Sequence, residues 1–533
     1  MPADSTNANK PRAPLGRAIM VQGTSSHAGK STLVAALCRL FAQAGYRVAP
    51  FKAQNMSNNA AVTKDGGEVG RAQAMQAAAA GVPVTVDMNP VLLKPQSDRT
   101  SQIVVLGRAR YVKDAREYFE LKAELWPVVT AALDRLRAAY DIVVIEGAGS
   151  PAEINLAQYD IVNMRVARHA GAPVLIIGDI ERGGVFASLY GTHALLQPEE
   201  QALIRGFVIN KFRGDPSLLA PGFEMLHERT GVPTLGVLPW LDLSQVPAED
   251  ALEWETLQRH DTTAVIDIAV MRLPRVANLD EFQALAAEPA VNVRFVASHG
   301  DLGTPDLVII PGTKSTLGDL AWLRERGLVA AIQESRAKGT PILGICGGFQ
   351  MLGTDIIDAG GAEQAGTAPG LGLLPMSTIF EPEKLTRQVS AKVVGSTALW
   401  HTGDDALSDR DSGERRPLGE LSLQGYEIHM GRSRLVDGAR VRQPSFAVQS
   451  GHDLFGDGIA SEDGLVVGTY IHGLLENAAL RHALLHRLAA RKGVRLPQSE
   501  GATTVDEAID ALAASVREHL DLRAIAAFVG LEL

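Results

Sequence analysis

A cysteine framed by glycines is the feature of this sequence that most strongly indicates covalent chemistry. The apolar run from Pro341 to Ile345 leads into Cys346, and Gly347 and Gly348 follow it before a helical pattern begins. A nucleophile on a glycine turn between a strand and a helix is typical of acyl-transfer enzymes, because glycine permits the sharp turn and the approach of a substrate carbonyl. The start of the following helix would favour a thiolate and stabilise an oxyanion. We therefore predict that Cys346 is a nucleophile and not a buried, inert cysteine.

The segment from Gly344 to Gln350 resembles the signature of class I glutamine amidotransferases, the triad type. The resemblance implies that Cys346 attacks the side-chain amide of glutamine and releases ammonia. A glutamyl thioester would remain on the sulfur until water hydrolyses it. The resemblance also implies that Gln350 helps to hold the bound glutamine. Another part of the chain must then consume the ammonia.

A second glycine-rich loop follows the first apolar strand, Ala18 to Val21, and precedes an apolar helix, Leu33 to Phe41. Backbone N–H groups of such a loop bind phosphate oxygens, a lysine neutralises their charge, and a serine hydroxyl reaches Mg²⁺. The loop has five residues between its glycines instead of the usual four, a variant that resembles dethiobiotin synthetase and its relatives. The predicted ATP-binding residues in it are Gly23, Thr24, Gly29, Lys30, Ser31 and Thr32.

Polar residues also follow later strands of the first half. Glu146 ends the buried strand that starts at Asp141, which is where a second Mg²⁺ ligand belongs beside Ser31 in a phosphoryl-transfer enzyme. Glu146 to Gly149 also recurs in the dethiobiotin synthetase family. Asn210 begins a segment similar to the base-reading loops of P-loop proteins, so we predict that it contacts ATP.

The strand from Arg47 to Phe51 runs directly into a dense polar cluster, Lys52 to Asn59. Ligands bind at the carboxyl edge of parallel sheets, where such a cluster would lie. A solvated turn rich in Asn and Ser is the open alternative. If the cluster binds substrate, the candidate residues are Lys52, Gln54, Asn55 and Asn58.

The second half supplies the partners of Cys346. The buried strand Leu307 to Ile310 ends in a glycine turn, and in class I amidotransferases this loop donates a backbone N–H to the oxyanion hole. The resemblance implies Gly312 or Thr313 as one donor and Gly347 as the other. Removing such a donor costs roughly 3–4 kcal/mol of transition-state stabilisation.

His472 closes an apolar strand and matches the amidotransferase base that deprotonates Cys346. His429 also closes a strand, and we predict that it faces substrate. The usual triad acid lies two positions past the histidine, where this chain has Leu474. The orienting acid is therefore absent or comes from elsewhere, with Glu476 as a candidate, and Cys346 and His472 are expected to work as a dyad.

Composition excludes several other classes of protein. The chain has 533 residues, 46% of them hydrophobic, and a net charge of −10, whereas a nucleic-acid binder would show a basic face. Cys38 and Cys346 are the two cysteines, so no disulfide framework is expected and a reducing, cytoplasmic location fits. No apolar run is long enough to cross a membrane. The sequence leaves the oligomeric state open, and a homo-oligomer is compatible with it.

Strands alternating with helices predict an α/β protein with two doubly wound domains. We expect a polar, disordered tail over residues 1–17, a P-loop synthetase domain over 18–245 and a linker over 246–263. Residues 264–533 would form the glutamine amidotransferase domain with its C-terminal helices. Residues 403–416 read as an exposed loop insertion.

Taken together, four motifs resemble the cobyric acid synthase family: Phe51 to Asn59, Asn89 to Pro95, Asn210 to Asp215 and Gly425 to Gly431. The resemblance implies ATP and Mg²⁺ as cofactors, glutamine as nitrogen donor, and four amidations of a corrinoid substrate through acyl phosphates. Cobyrinic acid a,c-diamide synthase and cytidine triphosphate synthase share the architecture and remain alternatives. A P-loop ATPase of the partitioning type, with an idle glutaminase-like domain, is the alternative from another class.

Overall fold

The computed structural model describes residues 15–241, 257, 264–404, 416–442, 444–496 and 505–533. The expected linker lies outside the described residues except for Leu257, and so does the expected tail except for residues 15–17. Most of the expected loop insertion, residues 405–415, also lies outside them.

The first domain alternates strands with helices and begins at Arg17. Its elements are β1 (Arg17–Gly23), α1 (Lys30–Gln43), β2 (Val48–Phe51), β3 (Gln54–Met56), β4 (Ala60–Val62), β5 (Glu68–Gly70), α2 (Arg71–Ala79), β6 (Val91–Pro95), β7 (Thr100–Val105), β8 (Arg108–Asp114), α3 (Ala115–Ala139), β9 (Ile142–Glu146), α4 (Met164–Ala170), β10 (Val174–Asp179), α5 (Val185–Ala194), α6 (Pro198–Gln201), β11 (Ile204–Phe212), α7 (Ala220–Thr230) and β12 (Thr234–Pro239).

Six of these strands form a parallel sheet in the order β12-β11-β10-β1-β9-β2. The strands are buried on both faces, as their continuous apolar runs require. Later strands extend the sheet on both sides of β1. A crevice therefore opens at the carboxyl end of β1, where the glycine-rich loop begins.

An antiparallel extension, which the sequence patterns did not predict, follows β2. Strands β3, β6, β7 and β8 form a small mixed sheet, and β4 pairs with β5 as a hairpin. The extension contains the polar cluster of Lys52 to Asn59 and contacts the second domain through a shared apolar cluster.

The second domain begins at Ile266. Its elements are β13 (Ile266–Met271), α8 (Gln283–Ala286), β14 (Val291–Val296), α9 (His299–Leu302), β15 (Leu307–Ile310), α10 (Thr316–Glu325), α11 (Leu328–Ala337), β16 (Ile342–Ile345), α12 (Gly347–Met351), β17 (Asp355–Asp358), β18 (Gly366–Pro369), β19 (Met376–Val393), β20 (Leu423–Leu435), β21 (Phe446–Ser450), β22 (Asp453–Asp457), β23 (Ile459–Ala460), β24 (Val466–Thr469), α13 (Ala478–Lys492), α14 (Val505–His519) and α15 (Leu522–Phe528).

A second six-stranded sheet runs in the order β14-β13-β15-β16-β24-β23, parallel except for the short edge strand β23. The prediction of an α/β fold with two doubly wound domains is therefore confirmed. A mostly antiparallel sheet of β17 to β22, built on the long pair β19 and β20, was not predicted. Its strand β20 crosses the mouth of the site described below.

The C-terminal helices α14 and α15 pack against the first domain. Ile509, Leu512 and Val516 share an apolar cluster with Leu33 and Leu37 of α1. The sequence-based division assigns these helices to the second domain, and their packing instead joins them to the first. The sequence pattern shows that these helices have apolar faces but does not show which domain those faces contact. Only the tertiary packing assigns the helices to a domain. None of the described helices is long and apolar enough to span a membrane.

Candidate active sites

Cys346 lies at the turn between β16 and α12 with a strained backbone, φ 49° and ψ −107°. A positive φ is uncommon for any residue other than glycine, and such strain clusters at functional turns. A Cβ atom on Gly348 would lie 1.9 Å from the carbonyl oxygen of Ile310, so a side chain does not fit there. The Sγ atom of Cys346 lies 3.5 Å from the carbonyl oxygen of Ile428. Gly348 is therefore required sterically, as expected for the tight turn that carries a nucleophile.

His472 follows β24 and is held by the neighbouring strand β20. Its backbone N–H donates to the carbonyl oxygen of Tyr426 at 2.9 Å. The two rings stack with centroids 5.4 Å apart and an interplanar angle of 17°. The imidazole is buried, hydrogen-bonds the Cys346 side chain and lines the same pocket.

The buried Glu281 supplies a third member to this pair. His472 Nδ1 lies 3.1 Å from Glu281 Oε1, and Glu281 Oε2 accepts the Gly473 N–H at 3.3 Å. Burial lowers the pKa of His472, but the Glu281 carboxylate and Cys346 raise it to about 10. With Nδ1–H donated to Glu281, Nε2 is left for Cys346, which is the arrangement of a nucleophile, base and orienting acid.

This arrangement corrects the expectation of a dyad and the candidacy of Glu476. Glu476 forms an ion pair with Arg71 of the first domain and forms no described contact with the imidazole. Glu281 lies in the 3₁₀ turn Leu279–Phe282, far before the histidine in sequence. Glu476 lies after His472 in the sequence, whereas the acid that contacts the imidazole lies before it. A usable signal was present, because the polar Asn278 to Glu281 follows the buried strand β13 at the carboxyl edge of the sheet.

The predicted oxyanion donors lie beside the cysteine. A Cβ on Gly347 would lie 3.1 Å from the Thr313 backbone nitrogen, so these two N–H groups are neighbours. A Cβ on Gly312 would lie 2.7 Å from His472 Cε1. Gly312 therefore makes room for the imidazole, and its carbonyl accepts the Ala277 N–H. The geometry favours Thr313 over Gly312 as the partner of Gly347.

The pocket around Cys346 carries fixed polar groups and both signs of charge. Gln350 is buried and accepts a hydrogen bond from Thr316 Oγ1 at 3.2 Å. Lys314 and Glu363 line the same pocket, and Glu363 Oε2 accepts the Thr316 N–H at 3.0 Å. Burial lowers the pKa of Lys314 and raises that of Glu363. Lys94 of the first domain also lines the pocket.

His429 also lines this pocket. Its ring stacks on Tyr470 at 3.8 Å, and Nδ1 donates to the Gly431 carbonyl oxygen at 2.8 Å. Burial lowers the pKa of His429 to about 3, so the ring is neutral and Nε2 is an acceptor. The prediction that His429 faces substrate stays a prediction, and the ring lies in the pocket that Cys346 lines. The strand β20 runs past the cysteine, a path that sequence spacing does not reveal.

The glycine-rich loop of the first domain forms the second site. Gly29 has φ 105° and caps α1, whose first residues are Lys30 and Ser31. Lys30 Nζ donates to the carbonyl oxygens of Ser25 and Gly149 at 2.9 and 3.2 Å. This geometry is that of a phosphate-binding loop closed by a lysine.

The remaining predicted residues of this loop surround the same crevice. Gly23 would crowd Lys30 Nζ if it carried a side chain, and Thr24 donates its N–H to the Ile177 carbonyl oxygen at 3.0 Å. Thr32 is partly exposed next to Ser31. Asn210 Nδ2 donates to the Ala28 carbonyl oxygen at 2.9 Å, so this side chain braces the loop.

Glu146 stands directly opposite the loop. Its Oε1 accepts Ser31 Oγ at 2.8 Å and lies 2.8 Å from Lys52 Nζ, while Oε2 accepts from Gln76. A hydroxyl and a buried carboxylate at one point fit Mg²⁺, which takes few protein ligands and shares the rest of its shell with phosphates and water. Among the described residues, no cluster of three or more His, Cys, Asp or Glu could hold a metal.

The polar cluster after β2 divides between several roles. Lys52 belongs to the Glu146 site, whereas Gln54 accepts a hydrogen bond from the Tyr118 hydroxyl. Asn55 Nδ2 donates to Gln73 at 3.3 Å. Within the described part of the chain, the buried Asn58 Oδ1 has no hydrogen-bond partner. Gln54 and Asn55 therefore have partners on α3 and α2, and substrate binding by the cluster stays a prediction.

Both halves of the chain match known protein families. Residues 19–252 match the CobQ/CobB/MinD/ParA nucleotide binding domain, and residues 267–480 match the CobB/CobQ-like glutamine amidotransferase domain. A solved structure of PurLQS from Thermotoga maritima matches 43% of this chain and 99% of its own at 18% identity, with a TM-score of 0.31.

Curated relatives match over nearly the whole chain. Cobyric acid synthase from Sorangium cellulosum is 51% identical over 523 residues, covering 96% of this chain and 99% of its own. The cobyric acid synthases of Dehalococcoides mccartyi and Yersinia enterocolitica are 48% and 47% identical over 97% and 95% of this chain, and 99% and 96% of theirs. With a nucleotide-binding domain and a glutamine amidotransferase domain in one chain, this protein is an ATP- and glutamine-dependent amide synthase and belongs to the cobyric acid synthase family.

Proposed function

We propose that the protein amidates the b, d, e and g carboxylates of adenosylcobyrinic acid a,c-diamide to give adenosylcobyric acid, with ammonia from glutamine and acyl phosphates as intermediates. One observation carries the proposal: a cysteine–histidine–glutamate arrangement and a phosphate-binding loop lie in one chain of this family.

In the glutaminase half, Cys346 attacks the carboxamide carbon of glutamine. The N–H groups of Gly347 and Thr313 receive the developing oxyanion. His472 takes the thiol proton and delivers it to the departing ammonia, while Glu281 fixes the imidazole tautomer and stabilises its charge. Water then hydrolyses the thioester by the same route.

The charges lining the pocket suggest how the amino-acid end of glutamine is held. Glu363 suits the α-ammonium group and Lys314 suits the α-carboxylate. Burial disfavours the charged form of each side chain, and a substrate group of opposite charge would stabilise that form. Gln350 and the acceptor Nε2 of His429 line the same pocket and suit the carboxamide.

In the synthetase half, the N–H groups of residues 25–30 and the Lys30 side chain hold the triphosphate. Ser31 and Glu146 would hold Mg²⁺, which supplies charge neutralisation on the phosphates when bound. The γ-phosphoryl group passes to a substrate carboxylate, ammonia attacks the acyl carbon, and phosphate leaves. Lys52, beside Glu146, is placed to contact the transferring group or the carboxylate.

We propose that the chain divides into two units that correspond to these two half-reactions. Residues 18–245 together with the C-terminal helices α14 and α15 would form the synthetase unit, and residues 264–496 the glutaminase unit. The packing of the C-terminal helices on α1 supports this assignment.

The test is mass spectrometry of the corrinoid product after incubation with ATP, Mg²⁺ and glutamine labelled with ¹⁵N at the side-chain amide. Starting from adenosylcobyrinic acid a,c-diamide, we expect four labelled amides and fragmentation that assigns them to b, d, e and g. In a parallel incubation with cobyrinic acid, labelling at the a and c carboxylates alone would assign the a,c-diamide synthase activity instead. An ATPase rate that responds to neither glutamine nor corrinoid would contradict both.

A further inference from the structure

The first residue of helix α2 crosses from the synthetase domain into the second domain. Arg71 Nε lies 2.6 Å from Asp280 Oδ2, and its Nη2 pairs with Glu476. Its guanidinium carbon also lies 5.9 Å from the centre of the Tyr426 ring. The Arg71 and Asp280 side chains are 16% and 2% exposed, so their ion pair is largely buried, whereas the Glu476 side chain is 39% exposed.

Each partner of Arg71 lies next to a residue that supports Glu281 or His472. Asp280 precedes Glu281 in the same 3₁₀ turn, and Glu476 lies in the turn that follows His472. The Tyr426 ring stacks on the His472 ring. Arg71 therefore contacts the supports of both the acid and the base, although it belongs to the other domain.

The charge balance of the cluster depends on this arginine. Asp280, Glu281 and Glu476 are three carboxylates within one region. Burial raises the pKa of Glu476, Arg71 lowers it, and repulsion from Asp280 and Glu281 raises it further. A buried carboxylate that loses its cation is neutralised or moves toward water. Without Arg71, repulsion from Asp280 and Glu476 would act on Glu281, whose position fixes His472.

Two hydrogen bonds between backbone N–H groups and asparagine side chains also join the synthetase domain to the Glu281 turn. The Leu279 N–H donates to Asn59 Oδ1 at 3.1 Å, and the Ala60 N–H donates to Asn278 Oδ1 at 3.0 Å. These contacts are independent of the ion pairs, and they place the turn at the domain interface. The turn is thus fixed from outside its own domain.

We propose that Arg71 is a positioning residue for glutamine hydrolysis, supplied by the synthetase domain, so that the Cys346 site is incomplete without that domain. The inference rests on the proposed glutaminase chemistry. It assigns Arg71 no contact with glutamine.

The experiment compares full-length Arg71→Ala and Arg71→Lys with wild type. The readouts are steady-state glutamine hydrolysis, corrinoid amidation with free ammonia, and thermal unfolding. Asp98→Ala is the matched control, because it removes another ion pair between the domains, with Arg275, at a position that is 93% exposed.

We expect Arg71→Ala to lower kcat for glutamine hydrolysis by about 10-fold or more, with KM for glutamine within about twofold. Arg71→Lys should recover part of the loss, because it restores the charge without the two-pronged geometry. Ammonia-dependent amidation and the Asp98→Ala control should stay within about twofold of wild type.

An unchanged kcat in a folded Arg71→Ala variant would overturn the inference, and so would equal losses with glutamine and ammonia. If Arg71→Ala does not fold, Asp280→Asn removes the contact on the Glu281 turn with little change of volume. Its kcat should then fall at constant KM, and no fall would reject the role. A wild-type protein that does not hydrolyse glutamine would instead reject the proposed function, so the two failures are distinct.

Discussion

His472 Nδ1 and Glu281 Oε1 lie 3.1 Å apart although the residues are 191 positions apart in the sequence. The position that usually carries the acid holds Leu474, which is buried. The acid therefore comes from the first loop of the second domain instead of the segment after the histidine. This exchange makes Glu281, and not Glu476, the residue that orients the base.

Glu281→Gln should lower kcat for glutamine hydrolysis by roughly 10² to 10⁴, because the amide stabilises neither the imidazolium nor its working tautomer. Glu476→Gln, the same chemical change nearby, should cost less than about 10-fold, since Glu476 acts only through Arg71. Steady-state glutamine hydrolysis of both variants is the measurement. Equal losses would show that the two carboxylates act as one unit.

Gly312→Ala should reduce glutamine hydrolysis by about 10² or more, because the new methyl group would lie 2.7 Å from His472 Cε1 and displace the ring. Gly191→Ala is the control, since no atom lies within 4 Å of a Cβ built there. Ammonia-dependent amidation should survive in both variants. Normal glutamine turnover in Gly312→Ala would mean that the imidazole does not need this space.

Cys346→Ala should abolish glutamine-dependent amidation and spare amidation with free ammonia, because only the nitrogen source is lost. Alkylation by iodoacetamide followed by peptide mapping provides a second measurement. It should modify Cys346 and not Cys38, which is fully buried and whose thiol pKa is raised by burial. Loss of activity with both nitrogen donors would assign Cys346 a structural role.

Lys30→Ala should abolish amidation with either nitrogen donor, because both reactions share the phosphate contacts of this lysine. Glutamine hydrolysis in the second domain should remain measurable. The exposed Lys64→Ala serves as control and should keep wild-type activity. Survival of ammonia-dependent amidation in Lys30→Ala would remove the phosphate-binding assignment.

The pKa of His472 makes stability depend on pH. Because Glu281 and Cys346 raise it from 6.5 to about 10, the folded state binds the proton more tightly. The stabilisation is fully present below pH 6.5 and is lost as the pH rises through about 10. The difference in thermal unfolding temperature between wild type and Glu281→Gln should therefore be larger at pH 6 than near pH 10. A difference that grows with pH would contradict this sign.

The sequence by itself determined the features that depend on adjacent residues. The glycines around Cys346 and the loop ending in Gly29 and Lys30 indicate the local backbone geometry directly. Turns and phosphate-binding loops are formed by consecutive peptide groups, so the local sequence is sufficient to predict them. Apolar runs ending in Glu146 or Asn210 likewise place those residues at a sheet edge, since parallel strands align their carboxyl ends.

Tertiary structure alone decided the pairings between distant segments. Glu281 reaches His472, Arg71 reaches Asp280 from the other domain, and His429 of β20 lines the same pocket as Cys346. The packing of helices α14 and α15 on α1 is of the same kind. A side chain on a buried turn has no sequence periodicity that names its partner, so only the packing of complete elements fixes which charges meet.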